Sequence, residues 1–242
     1  MGATLSYPLY NTATRDMIKC MEAILESVDR PPLFSGLEVA MEEDGVNLGA
    51  KTRSGWSMLH VACYIGHGNI VDVLCSDEAQ LKQHAFSLNE YGASALMCIA
   101  QGHAHAPDTP DEERLISGGL SIIRIASKRH LQHADRKGVT ALHCCAMHGL
   151  PQLVGALIER GVRLDAGASF WRPEDYPTDN AYCTPELRDD ISRKQRLTPL
   201  QAVEARLKKA TWLPANAKSR IGMVECIQLL KQATGAGEGR KR

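Results

Sequence analysis

Aromatic side chains are scarce in this sequence. Its 242 residues include three Trp, six Tyr and three Phe, or 5% of the chain, although 44% of the residues are hydrophobic. That apolar content can bury one sizeable core or a linear array of smaller ones. A large enzyme core usually draws more on Phe and Trp, whereas small helical units use Ala, Leu, Val and Cys, because their helices approach closely. The scarcity of aromatics therefore favours small, closely packed helical units.

The chain also lacks an excess of charge, a disulfide pattern and a long apolar run. Its 28 basic and 28 acidic residues cancel, so overall charge does not favour nucleic acid or a membrane surface as a partner. The eight cysteines form no Cys-x-x-Cys pair and mostly fall within apolar helical patterns, which is typical of reduced thiols in an intracellular protein. No apolar run approaches the roughly 18 residues of a membrane span, and no secretory signal is evident.

The clearest pattern lies at residues 138–149, which are GVTALHCCAMHG. Thr140 can cap a helix whose narrow apolar face includes Leu142, and Gly149 ends that helix. A second helix is predicted from about Leu153, after a tight turn. Because one such helix–turn–helix unit cannot bury its apolar faces alone, it predicts neighbouring units.

The same pattern recurs along the chain. Residues 57–63 (SMLHVAC) align with residues 140–146 (TALHCCA), and the helices that follow align as IVDVL with LVGAL. Weaker copies begin at Ser94 and Thr198. Agreement over two helices and the turn between them predicts a repeat protein. Apolar spacing predicts further helices at residues 12–28, 34–43, 115–128 and 219–232, the first of them capped by Thr14 or Asp16.

The shared pattern, Gly-x-Thr-x-Leu-His-x-x-Ala followed by Gly and then Ile/Leu-Val-x-x-Leu, resembles the ankyrin repeat. The resemblance covers roughly residues 12–233 and is strongest at 55–75 and 138–161. It implies an all-α fold, an ankyrin-repeat solenoid of about five degenerate helix–turn–helix repeats with insertions and short hairpin-like loops. In this family the Thr or Ser hydroxyl bonds the His, the Ala pair lets inner helices approach closely, and the Gly makes the turn.

The resemblance also predicts how the chain is divided. Residues 12–234 form the repeat domain, between an irregular N-terminus at 1–11 and a disordered tail at 235–242. Departures from the family pattern are the replacement of the His by Met97 and Gln201, and Glu204 at a position where a small apolar residue is expected. The units are predicted at about 12–50, 51–89, 90–134, 135–165 and 193–234, with insertions at about 103–114, 166–192 and 211–218.

An open concave surface suits a partner segment, whereas catalysis needs convergent groups in a closed pocket. The sequence therefore predicts a non-enzymatic protein–protein interaction module, an adaptor or scaffold that binds another protein through its concave face and inserted loops. Trp56 and Tyr91 are expected to be exposed anchors on that face. The predicted partner-binding residues are Arg53, Trp56, Tyr64, Tyr91, Arg136, Lys137, Met147 and His148, with Trp171 in an inserted loop.

The insertion at 166–192 offers a second hypothesis for recognition. Phe170, Trp171, Tyr176 and Tyr182 are many aromatic residues for one loop in an aromatic-poor chain. They are predicted either to contact the partner or to pack over the flank of the repeats and cover an exposed core.

A metal-dependent enzyme that uses a His/Cys cluster is the alternative from another functional class. His143, Cys144, Cys145 and His148 crowd one helix, and Cys144 and His148 share a face at i,i+4 spacing. The repeat pattern explains the other three separately: His143 bonds the cap, Cys145 fills a small-residue position and His148 flanks the turn. Cys144 alone is predicted to face the groove, beside Met147. No nucleophile elbow or P-loop occurs, so we predict no catalytic residue, metal site or cofactor.

The first six residues, MGATLS, fit the N-myristoylation pattern, with Gly2 as the acylated residue. One myristoyl chain binds membranes only weakly and reversibly, and no polybasic cluster follows it. The predicted location is therefore the cytoplasm, with weak membrane association if Gly2 is acylated.

Overall fold

The computed structural model describes residues 10–26, 34–105, 110–168, 196–210 and 217–235. These residues are helical and contain no strand, which confirms the predicted helical character for this part of the chain. None of their helices is long and apolar enough to cross a membrane. The helices are α1 (Thr12–Glu26), α2 (Phe34–Glu42), α3 (Met58–Ile65), α4 (Gly68–Ser76), α5 (Glu78–His84), α6 (Ala95–His105), α7 (Pro110–Ile125), α8 (Lys128–Leu131), α9 (Ala141–Met147), α10 (Pro151–Glu159), α11 (Pro199–Lys209) and α12 (Lys218–Thr234).

Helix α1 buries one apolar stripe, which includes Met17 and Met21, against the rest of the core. Its cap differs from the prediction: the side chain of Asn11 accepts a hydrogen bond from the backbone N–H of Thr14 at 2.9 Å. Thr14 is buried, and its hydroxyl accepts from the backbone N–H of Asn47 at 2.9 Å. Thr14 therefore joins α1 to the loop after α2, and the prediction of Thr14 or Asp16 as cap is wrong.

Short hairpins precede four of the helices. In the hairpin at 88–94 the side chain of Asn89 accepts from the backbone N–H groups of Tyr91 and Ala93, at 3.0 and 2.9 Å. A short polar residue thus closes the tip with its own side chain. The antiparallel bridges pair Lys51 with Ser57, Leu88 with Ser94, Ala134 with Thr140, and Ala168 with Leu197, just before α3, α6, α9 and α11.

The helices pack in two layers. The inner helices α3, α6, α9 and α11 contact one another in that order, and the outer helices α4, α7, α10 and α12 do the same. Gly66 and Gly149, with φ of 80° and 71°, end α3 and the turn after α9 in the left-handed conformation that the sequence predicts for them. The apolar core lies between the two layers and includes Leu59, Leu142 and Leu153.

Within the insertion predicted at 103–114, the described residues 103–105 and 110–114 are helical. Helix α6 continues to His105, and α7 begins at Pro110 instead of about Leu115. The apolar pattern breaks because the buried residues are polar: Nε2 of His103 lies 2.7 Å from one carboxylate oxygen of Glu112, and Nζ of Lys218 lies 2.7 Å from the other. These two contacts of Glu112 join α6 and α7 to the start of α12.

The fourth hairpin carries the long insertion predicted at 166–192. Ala168 and Leu197 exchange two backbone hydrogen bonds, both 2.9 Å long, and the chain between them leaves and returns at this one hairpin. The aromatic residues Phe170, Trp171, Tyr176 and Tyr182 lie outside the described residues. Nearby, Glu204 forms an ion pair with Lys231 at 2.8 Å, which explains a charged residue where a small apolar one was expected.

Candidate binding groove

Two buried histidines join successive hairpins. Nδ1 of His60 lies 2.7 Å from the hydroxyl of Ser57 and accepts the backbone N–H of Ser57 at 3.3 Å. Because Nδ1 accepts, Nε2 carries the hydrogen and donates to the carbonyl of Ala93 on the next hairpin, at 3.2 Å. Burial lowers the pKa of His60 to about 4, so this ring is neutral at physiological pH.

His143 repeats this arrangement in α9. Its Nδ1 lies 2.9 Å from the hydroxyl of Thr140, and Nε2 donates to the carbonyl of Leu197 at 3.1 Å. Burial lowers the pKa of His143 to about 4 as well. The predicted Ser/Thr–His pairs are therefore confirmed, and each also fixes the position of the following hairpin.

The second hairpin is held differently, because Met97 occupies the position of the histidine in α6. Nε2 of His133 instead donates to the carbonyl of Gly92 at 2.9 Å. The backbone N–H of Glu90 also donates to the carbonyl of Ser54 at 2.7 Å. The first three hairpins therefore form a continuous hydrogen-bonded edge.

This edge borders a groove with a cavity of about 580 Å³. That volume falls in the range of binding pockets, roughly 300–1,000 Å³. The walls come from α1, the first three hairpins and the inner helices α3, α6 and α9. The lining residues are Glu22, Leu25, Glu26, Arg53, Ser54, Trp56, Tyr64, Asn89, Glu90, Tyr91, Ala93, Met97, Cys98, Gln101, Asp135, Lys137, Val139, Cys144, Met147 and His148.

Most of the predicted partner-binding residues meet in this groove. Arg53, Tyr64, Tyr91, Lys137, Trp56, Met147 and His148 line it, as does Cys144, which the sequence places beside Met147. Arg136 is exposed on the third hairpin tip but does not line the groove. Trp171 lies outside the described residues, as does Gly2, whose acylation stays a prediction.

The expected exposure of Trp56 is wrong. Only 5% of this residue is accessible, because its ring contacts those of His60, Tyr64 and Tyr91. Met147 and His148 are buried as well, at 6% each. Tyr91 is 49% exposed and matches its prediction. The groove therefore presents Tyr91 as its accessible aromatic residue, with Trp56 as a buried wall.

The sequence did not indicate that residues of α1 line the groove. Glu22, Leu25 and Glu26 line one end of the groove. Their i, i+3 and i+4 spacing, on a face beside the buried stripe of Met21, is the signal that could have found them. The sequence also did not indicate that Glu90, at the second hairpin tip, lines the groove, because an exposed charge in a turn is common.

Acidic side chains outnumber basic ones on the walls of the groove. Lys137 interacts electrostatically with Asp135, which belongs to the same hairpin and whose pKa burial raises. The carboxylate of Asp135 also accepts the backbone N–H groups of Lys137 and Val139, at 2.8 and 2.9 Å. Altogether the groove contains four carboxylates, Glu22, Glu26, Glu90 and Asp135, and two cationic side chains, Arg53 and Lys137.

The positions of the His and Cys side chains do not support the alternative function of a metal-dependent enzyme. Both ring nitrogens of His143 are engaged in the hydrogen bonds to Thr140 and Leu197. Cys145 is fully buried in the core, whereas Cys144 lines the groove. Among the described residues, no three His, Cys, Asp or Glu side chains converge as a metal site would require.

We expect the thiol of Cys144 to resist alkylation in the folded protein. Burial raises its pKa to about 12, so at pH 8 its thiolate fraction is about a thousandfold below that of an ordinary cysteine. Timed labelling with iodoacetamide, followed by mass spectrometry of tryptic peptides, should show slow labelling in buffer and fast labelling in urea. Cys20, which is partly exposed like Cys144 but whose pKa burial raises less far, provides the internal comparison. Equal rates at Cys144 with and without urea would contradict this prediction.

One stretch of the helical hairpin units matches a known protein family. Residues 137–166, which contain the third hairpin tip, α9 and α10, match the family model described as Ankyrin repeat. This match to one repeat supports the interpretation as an ankyrin-repeat protein and suggests a protein–protein interaction module. No curated protein matches the chain.

Proposed function

We propose that this chain is a non-enzymatic adaptor or scaffold that binds a segment of another protein in the groove. About five ankyrin-type units would form the binding surface as a solenoid, divided as the sequence predicts. The repeated hairpins, the two-layered packing and the matching repeat at 137–166 support this arrangement. The groove carries the proposal, because it crosses several successive units and so can follow an extended segment or a helix.

The surface of the groove suits a peptide. Its middle consists of aromatic, thioether and thiol side chains, including Tyr64, Met97 and Cys98. Sulfur-containing side chains adapt to differently shaped apolar groups. Charged residues surround this middle at α1 and at the hairpin tips, as is usual for the rim of a protein interface. We also propose that the 166–192 insertion contributes contacts through Trp171.

Selection of peptides from a displayed random library would test this function. Gln101 is partly buried on the groove face of α6, so Gln101→Trp should fill the groove and weaken the selected peptides at least about tenfold by steric exclusion. Val73→Trp is the matched control, because Val73 is 57% exposed on α4 and does not line the groove. Titration calorimetry and circular dichroism would measure binding and folding. Selected peptides that bind both variants and the unmodified protein equally would rule the groove out.

A further inference from the structure

We infer that the corner formed by Trp56, Tyr64 and Tyr91 binds an alkylammonium side chain of the partner segment, a lysine that is N-methylated. The inference rests on the proposed function, since it assigns a chemical class to what the groove receives. It depends on three observations: the angles between the rings, the carboxylates around them and the apolar groups beside them.

The rings meet nearly at right angles. The centroids of Trp56 and Tyr64 are 5.2 Å apart at an interplanar angle of 71°, and those of Trp56 and Tyr91 are 6.4 Å apart at 79°. All three rings line the same cavity. Perpendicular neighbouring rings form a corner in which one cation can contact more than one π face, and the negative faces of aromatic rings attract cations within about 6 Å. Trp56, of which only 5% is accessible, forms the back of this corner, and Tyr64 and Tyr91 provide its more accessible rings.

The charges around the corner favour a cation. Glu22 and Glu26 lie on α1 at the same end of the cavity, and Glu90 precedes Tyr91 directly. Burial raises the pKa of Tyr91, and the negative charge of Glu90 acts in the same direction. Opposite charges on the two sides of an interface increase both the association rate and the specificity.

Two cationic side chains oppose this attraction, and their effect is smaller. Lys137 and Asp135 belong to the same hairpin and attract each other. Arg53 is the other cation of the groove, whose lining also includes the three carboxylates Glu22, Glu26 and Glu90. The groove keeps a net negative charge, which a cationic ligand would reduce.

Methylation should strengthen binding at this corner. A bare ammonium is strongly hydrated, and its hydrogen bonds to water are lost when it enters an apolar site. Methyl groups replace those N–H donors with apolar surface that can contact the rings and Met97 and Cys98, which line the adjacent wall. The charge remains, so the attraction to the π faces and carboxylates is retained.

Three short peptides that differ at one atom or group test the inference by titration calorimetry. They are N-acetyl-Ala-Lys-Ala-amide, its trimethyllysine form and an isostere in which carbon replaces the trimethylated nitrogen. We expect the trimethyllysine peptide to bind about 5- to 30-fold more tightly than the neutral isostere. Equal affinity of these two, or no binding of the trimethyllysine peptide at millimolar concentration, would overturn the inference.

Variants of the accessible ring complete the test. Tyr91→Leu should weaken the trimethyllysine peptide about fivefold or more, whereas Tyr91→Phe, which keeps the ring, should bind it within about twofold of the unmodified protein. Glu90→Gln should weaken only the charged peptides, and Val73→Trp should change nothing. If Gln101→Trp blocks the library-selected peptides while the charged and neutral probes bind alike, the inference fails and the proposed function stands. If Gln101→Trp blocks none of them, the proposed function itself fails.

Discussion

Alanine at Gly102 should lower the free energy of unfolding by about 3 kcal/mol or more, the upper part of the range for overpacked cores. An added Cβ would lie 1.9 Å from the carbonyl oxygen of Cys63 and 2.9 Å from the backbone of Gly66. These atoms belong to the backbone of α3 and its turn, so no side-chain rotation can relieve the clash. Helices α3 and α6 must move apart, which exposes apolar surface between them. Urea denaturation followed by circular dichroism measures the change.

Gly155 provides the matched control for Gly102. It lies within α10, and an added Cβ would meet no atom within 4 Å. Gly155→Ala should therefore raise the free energy of unfolding by about 0.5–1 kcal/mol, because alanine loses less backbone entropy in a helix. If both alanine variants changed the free energy of unfolding by the same amount, the close approach of the two backbones at Gly102 could not explain the effect of Gly102→Ala.

Acidification from pH 7 to pH 5 should destabilise the protein by about 4 kcal/mol through His60 and His143 together, about 2 kcal/mol from each. Burial lowers both pKa values to about 4, whereas an unfolded histidine titrates near about 6.5. Below pH 6.5 the unfolded chain therefore binds protons that the folded protein does not. Stability falls as the pH drops from 6.5 to 4 and levels off below that. Urea denaturation at a series of pH values gives the slope.

The chain itself suggests the control for this pH dependence. Gln201 occupies the position of the histidine in α11, and its side-chain oxygen accepts the backbone N–H of Thr198 at 3.0 Å. The double variant His60→Gln/His143→Gln should keep the caps but lose most of the slope between pH 7 and pH 5. A smaller slope should remain from His84, whose pKa burial also lowers. An unchanged slope in the double variant would show that other groups cause the acid sensitivity.

The sequence predicted those parts of the fold that depend on short-range chemistry. The Ser57–His60 and Thr140–His143 pairs are three residues apart, so one helical turn brings them together whatever surrounds them. The left-handed turn at Gly66 is local in the same sense. Helix boundaries were predicted well at α12, where an apolar stripe starts and ends sharply.

Where distant residues decide the structure, the sequence was less informative. The exposure of Trp56 was predicted from its place in the repeat, but its burial depends on rings in α3 and in the next hairpin. The helical structure at 103–105 and 110–114 was missed because the buried pair of His103 and Glu112 resembles a polar loop in sequence. The groove residues Arg53, Trp56, Tyr91 and Lys137 on the hairpins were predicted. Glu22 on α1 was not, since repeat alignment does not place a helix that lacks the motif.

The bridge between Ala168 and Leu197 has a consequence for how this protein can vary. The carbonyl of Leu197 accepts from both the backbone N–H of Ala168 and Nε2 of His143, so both ends of the intervening segment are fastened to the α9 unit. Each doubling of the length of a loop closed in this way costs only about 0.6 kcal/mol. Evolution or an engineer could therefore lengthen, shorten or exchange this segment almost independently of the helices, which makes the fourth hairpin a natural graft point for new specificity.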